Sequence, residues 1–205
     1  KYIFCEKPFI YNKNCDNLAI SKTLFSNALH KNINLCVNTQ WVYGINQLLP
    51  FIDNDINYIS IYMEHHIDHN CLEFYTELIS HMNSIIIFLL GDNKIDNIVI
   101  EKEENNYPIN ILFKYNKASI KYELGYPKKY DLQFIINNTK FKREVDKEYN
   151  QIFFIDNKKI KIQDPFNLSI KNFLDNKSLL TVNSILKNIE ITDKILKNIE
   201  IIDKI

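Results

Sequence analysis

Between Ile95 and Gln163 apolar and polar residues alternate with a period of two, in short segments parted by turn residues. The segments are IDNIVIEK, INILFKY, ASIKYEL, YDLQFII, KFKREV, QIFFI and KIKIQ, with Asn116–Lys117, Asn137–Asn138 and Asp156–Asn157 among the turns. Side chains in a strand point alternately to opposite faces, so this pattern predicts strands with one wet and one packed face. Lysines fill many of the wet positions, as in an antiparallel meander.

A chain of 205 residues can wrap one good core or two small ones around such a sheet. The segments before the meander supply other layers. Tyr2 to Cys5 reads as a short buried strand, and Asn14 to His30 as a helix with Leu18, Ser21, Phe25 and Leu29 on one face. Asn32 stops that helix, and Ile33 to Val37 is again strand-like. Strand, helix and strand in this order form the unit of a parallel sheet. After Pro50 and the acidic Asp53 to Asp55, Ile56 to Met63 reads as a further strand. The next helix has Asn70 and Glu73 in capping-box positions, an apolar second half IIIFLL, and Gly91 as its stop. Beyond the meander, Asp164–Pro165 opens a helix to about Leu174, and another runs from about Ser178 to the end.

The final helix contains a repeat, ILKNIEITDK at 185–194 followed by ILKNIEIIDK at 195–204. Ten residues at about 100° each turn the second copy roughly 80° from the first. The copies therefore present different faces to one straight partner, and a duplication explains them better than a coiled coil.

Charge and composition exclude several classes of function. Lys+Arg and Asp+Glu balance at 25 each, so no electrostatic footprint points to nucleic acid or an anionic membrane. The longest apolar run, Ile85 to Leu90, is too short to span a bilayer. Cys5, Cys15, Cys36 and Cys71 have no paired spacing; with no secretory leader they read as reduced thiols of a cytoplasmic protein. Gly44, Gly91 and Gly125 are the only glycines, and they cannot build a GxGxxG or Walker phosphate loop.

Several residues could carry chemistry. Lys7 lies at the carboxyl end of the first strand, where open α/β sheets bind ligands, with Glu6 before it and Pro8 biasing it to extended backbone. Taken alone it also fits a surface lysine. Glu77 and His81 stand four apart on the strong helix and share a face, either as an acid–base pair or as an ordinary surface pair. Gln40, Trp41 and Tyr43 follow the second strand, where aromatics stack on sugars or fill an interdomain core. His30 reads as a favourable charge at a helix end. The run EHHIDH, Glu64 to His69, offers His65, His66 and His69 as ligands. It lacks HExxH spacing and a cysteine partner, so no metal is expected, and zinc hydrolysis stands only as a distant reading.

The order of these features resembles the Gfo/Idh/MocA family, the oxidoreductases related to glucose–fructose oxidoreductase and inositol dehydrogenase. Glu6, Lys7 and Pro8 match its EKP motif in full. Glu77 and His81 match its DxxxH motif with glutamate for aspartate, on a helix closing in LLG. Asp164 to Leu174, DPF…FL, is similar to its usual penultimate helix. The resemblance implies NAD or NADP as cofactor, with Glu6, Lys7 and Pro8 on the nicotinamide side. It implies catalytic roles for Lys7, which orients the substrate hydroxyl, and His81, which accepts its proton, with Glu77 orienting His81. Gln40, Trp41 and Tyr43 would line the substrate site. The substrate would be a sugar, a polyol or a related compound, and a homo-oligomer would form through the open sheet face. An arginine that the family often carries near Val42 is missing from NTQWVYGIN.

Because EKP arrives at residue 6, the resemblance further implies that most of the dinucleotide-binding domain precedes this chain. The expected fold is mixed α+β: the last strand–helix–strand of a Rossmann domain, then a largely antiparallel sheet with helices packed on one face. Residues 1–40 would be the cofactor-domain remnant, 41–177 the substrate-binding and oligomerisation domain, and 178–205 the C-terminal helix. The chain by itself would be inactive. The alternative is a non-catalytic module that binds a sugar or a partner after losing its cofactor half.

Overall fold

The computed structural model describes residues 1–64, 72–102, 108–125, 131–148, 150–156 and 158–202. Strand β1 (Tyr2–Cys5) pairs in parallel with β2 (Asn34–Val37) across helix α1 (Asn17–His30). The helix starts later than its apolar pattern suggests, because Asp16 caps it by accepting the Ala19 N–H at 2.9 Å. Its inward face is Asn17, Ser21, Phe25 and Ala28, not the face containing Leu29, which is 76% exposed. Asn32, with φ 51°, turns the chain out of the helix as expected.

Helix α2 (Gln40–Leu48) follows β2 directly, where only strand-edge aromatics were expected. Val42, Ile45 and Leu48 at helical spacing are fully buried, and this burial outweighs the strand preference of Trp41, Val42 and Tyr43. Strand β3 (Tyr58–Met63) leads towards α3 (Leu72–Leu90), which ends at Gly91 in the left-handed region (φ 75°). Asn70 and His65, His66 and His69 lie outside the described residues.

The meander is β4 (Ile95–Lys102), β5 (Ile109–Tyr115), β6 (Ala118–Leu124), β7 (Leu132–Ile136), β8 (Thr139–Val145), β9 (Gln151–Ile155) and β10 (Lys158–Ile162). Its strands join β3 in an eight-stranded sheet of order β10-β9-β8-β7-β3-β6-β5-β4. Strand β3 enters between β6 and β7, parallel to the first and antiparallel to the second, and every other pairing is antiparallel. Alternation is clear in β5, where Ile109, Ile111, Phe113 and Tyr115 are buried while Asn110, Leu112 and Lys114 face the other way. It breaks in β9, where Ile152 and Phe153 are both buried, and at the register shift between Asp96 and Val99 of β4.

Helices α4 (Pro165–Leu174) and α5 (Val182–Ile202) complete the chain, with Asp164 capping α4 through the Phe166 N–H at 3.0 Å. Helices α3 and α5 pack together on one sheet face, and α5 also meets α1. Leu78, Ile79, Met82, Ile85 and Ile86 of α3 are buried beside Ile191, Ile195, Leu196 and Ile199 of α5. Burying each such side chain contributes about 1.5–3 kcal/mol.

A polar network sets the register of these helices. Tyr122 donates to Asn83 Oδ1 at 2.8 Å, and Asn83 Nδ2 donates to Thr192 Oγ1 at 3.0 Å. Asn188 Nδ2 donates to the Ser80 carbonyl and to Ser84 Oγ, each at 2.8 Å. Asn198, its counterpart in the second copy of the repeat, bonds only its own helix at the Lys194 carbonyl, on the surface. The 80° offset thus gives the two copies different work.

Candidate active site

Strand β1 ends at Cys5, and the next residues bring Lys7 under helix α3. Lys7 Nζ donates to Glu77 Oε1 at 3.1 Å and to the Glu77 carbonyl oxygen at 3.3 Å. The lysine side chain is only 7% exposed, against 28% for Glu77. Burial pulls the Lys7 pKa down to about 8, against the opposing pull of Glu77 and, more weakly, Glu6. An ammonium so poised can donate a hydrogen bond to a substrate oxygen or exchange a proton near neutral pH.

Glu6 faces elsewhere. Both its carboxylate oxygens accept from Asn38 Nδ2 at 3.0 Å, and Asn38 Oδ1 accepts from Ser169 Oγ at 3.2 Å. This chain ties the ends of β1 and β2 to α4 and fixes the segment that carries Lys7. The Lys7–Pro8 peptide is cis.

His81 lies one turn beyond Glu77 on α3 and is buried. Its ring meets Trp41 of α2 nearly edge to face, at 6.3 Å between centroids and 72° between planes. Gln40 stands half-buried at the start of α2. Tyr43 is buried on another side of the helix, and burial raises its pKa. The structure therefore sets the Lys7–Glu77 and Trp41–His81 pairs on successive turns of α3, and leaves Glu6 and Tyr43 in supporting positions.

One neighbour was not foreseen. The guanidinium carbon of Arg143, on β8, sits 4.9 Å from the Trp41 ring centroid, and Nε donates to Gln151 Oε1 at 2.6 Å. About a hundred residues separate Arg143 from Trp41 in sequence, so only the folded sheet brings them together. No cluster of three or more His, Cys, Asp or Glu suited to a metal occurs among the described residues. No helix among them is long and apolar enough to cross a membrane.

No family model and no curated protein matches the sequence. Solved structures do match. The chain is similar to UDP-N-acetylglucosamine 3-dehydrogenase GnnA from Acidithiobacillus ferrooxidans, with TM-score 0.69 and 10% identity, over 94% of this chain and 68% of that one. It is similar also to the dehydrogenase MviM from Clostridium difficile (TM-score 0.67, 13% identity, 96% and 71% covered). A variant of KijD10, a 3-ketoreductase from Actinomadura kijaniata in complex with TDP-benzene and NADP, matches with TM-score 0.65 and 12% identity over 97% and 68%. The fold is that of the Gfo/Idh/MocA oxidoreductases. The mixed architecture, with helices on one face of a mostly antiparallel sheet, is the one its EKP and ExxxH residues led us to expect.

Proposed function

We propose that this chain is the substrate-side part of an NAD(P)-dependent oxidoreductase. It would move a hydride between nicotinamide and a carbon bearing a hydroxyl or keto group in a sugar, a polyol or a related compound. The observation that carries this reading is the buried Lys7–Glu77 pair, set at the end of a parallel strand and one helical turn from His81.

The residues present fit one end of such a cofactor. Lys7 and Pro8 lie where a nicotinamide carboxamide would approach the end of β1, and bound nicotinamide would supply the hydride acceptor or donor. The pyrophosphate finds no cradle here. Gly44 lies within α2, Gly91 ends α3 and Gly125 follows β6, so none opens the turn between β1 and α1. We assign the phosphates to a dinucleotide-binding half that would extend the sheet of β1, with residues 1–40 as its last unit, 41–177 as the substrate and oligomerisation domain, and 178–205 as the closing helix. The exposed apolar residues Tyr2 and Ile3 on β1, and Ile20 and Leu24 on α1, support this, because parallel sheets are normally covered.

In alcohol oxidation Lys7 would hold the substrate oxygen and His81 would take the hydroxyl proton as the carbon–hydrogen pair departs. Glu77 would position Lys7 through the observed ion pair. The open sheet face, with Tyr58, Tyr62 and Ile135 among its lysines, would serve contacts between subunits. A second reading, a module that binds sugar without catalysis, draws on the same pair, since Glu77 already neutralises Lys7. NAD(P)-dependent turnover of the natural full-length protein decides between the two, and its loss in Lys7→Ala ties it to Lys7.

A further inference from the structure

We propose that Arg143 and Trp41 form a subsite for an oxyanion beside His81, so that the substrate carries a carboxylate or a phosphate. The inference deepens the oxidoreductase reading and rests on it for the placing of the reacting carbon.

Arg143 is the only arginine in the chain. It shares the helix-facing side of β8 with the fully buried Phe141 and stands in register with Phe153 of β9. Burial there lowers its pKa, a sign of a charge held at some cost. The guanidinium carbon lies over the Trp41 ring, and Nε donates to Gln151. Asp131 and Asp164 exert a stabilising field, yet neither forms an ion pair with Arg143 among the described residues. The two terminal nitrogens have no protein acceptor among those residues and are not among the buried unpartnered atoms, so they are open to solvent and to a ligand.

A guanidinium held over an aromatic ring with its terminal nitrogens accessible matches a carboxylate or phosphate, which can take two parallel N–H bonds. Gln151 also lines a cavity of about 650 Å³ between β9–β10 and α4, where Lys161 and Lys171 add positive charge and Asp164 subtracts from it. A purely structural clamp between sheet and α2 would need only the stacked ring and would bind no anion.

Trp41 is the only tryptophan, so its fluorescence reports on this place alone. The 205-residue chain is titrated with glucuronate, glucose 6-phosphate and glucose. Saturable change with either anion and none with glucose is expected, and the anion that binds tells carboxylate from phosphate. Arg143→Gln, shown folded by circular dichroism, should bind about tenfold or more weakly. Should that variant not fold, Arg143→Lys keeps a cation in place and should lose a similar factor, because the stacked fork is gone. Silence with both anions, an equal response to glucose, or undiminished binding in the variants overturns the subsite. The readout needs no nicotinamide. Anion binding without NAD(P)-dependent turnover of the natural full-length protein would therefore reject the oxidoreductase reading alone, and Lys7-dependent turnover without anion binding would reject the subsite alone.

Discussion

Lys7 and Glu77, seventy positions apart, meet in a 3.1 Å ion pair that joins the end of the parallel strand to the first half of helix α3. The lysine is the more deeply buried partner, so it depends on the carboxylate more than the reverse. Glu77→Gln keeps the shape but leaves the ammonium facing an amide. We expect a loss of about 1–3 kcal/mol, the cost of a buried charge with a poorer partner. A shift of the denaturation midpoint equivalent to under about 0.5 kcal/mol, the scale of ordinary surface changes, would contradict the pair's role.

The lowered Lys7 pKa has a pH signature. The unfolded side chain titrates near 10.5 and the folded one near 8, so between these values the unfolded chain holds the extra proton. Stability therefore rises with pH across that window and is insensitive to Lys7 below it. Against Lys7→Met, the wild type should gain relative stability from about pH 8 to about pH 10.5. Denaturant titrations of both proteins at several pH values test this; a constant difference would show that Lys7 titrates normally.

The terminal repeat predicts unequal effects from identical changes. Asn188→Ala removes donors to the Ser80 carbonyl and Ser84 Oγ inside the α3–α5 interface and should cost about 1–3 kcal/mol. Asn198→Ala removes one exposed bond to the Lys194 carbonyl and should stay within about 0.5 kcal/mol. Equal losses would mean that the two copies are packed alike.

Gly91 provides a local test of the end of α3. Its φ of 75° suits glycine, and a built Cβ has nothing within 4 Å, so only backbone strain opposes a side chain. Gly91→Ala should cost about 1 kcal/mol, visible as a lowered melting temperature. An unchanged or raised melting temperature would show that the turn relaxes without penalty.

Periodicity made much of this fold legible, because strands such as β5, β6 and β7 bury every second residue, and the apolar second half of α3 marks a deeply buried helix. Helix α2 escaped it, since Trp41, Val42 and Tyr43 favour strands locally and only packing of Val42, Ile45 and Leu48 decides for a helix. Leu29 misled the reading of α1, because the face towards the body runs through the small Ser21 and Ala28. Insertion of β3 between β6 and β7 is a long-range pairing with no local mark. At the site, Lys7, Glu77 and His81 could be picked out by motif, but their partners could not. The choice of Glu77 for Lys7, of Asn38 for Glu6 and of Arg143 for Trp41 depends on distances that exist only in the folded chain.

The most direct test of the central claim is turnover in the natural full-length protein, following NAD(P)-dependent oxidation across a panel of sugars, polyols, uronates and sugar phosphates. Lys7→Ala should lower kcat by about 10²–10⁴-fold, the usual worth of a positioned acid–base group, while the protein stays folded by circular dichroism. A folded Lys7→Ala protein with wild-type turnover would contradict the assignment of Lys7 to the reaction, and no turnover in the wild type across the panel would leave the binding module as the better account.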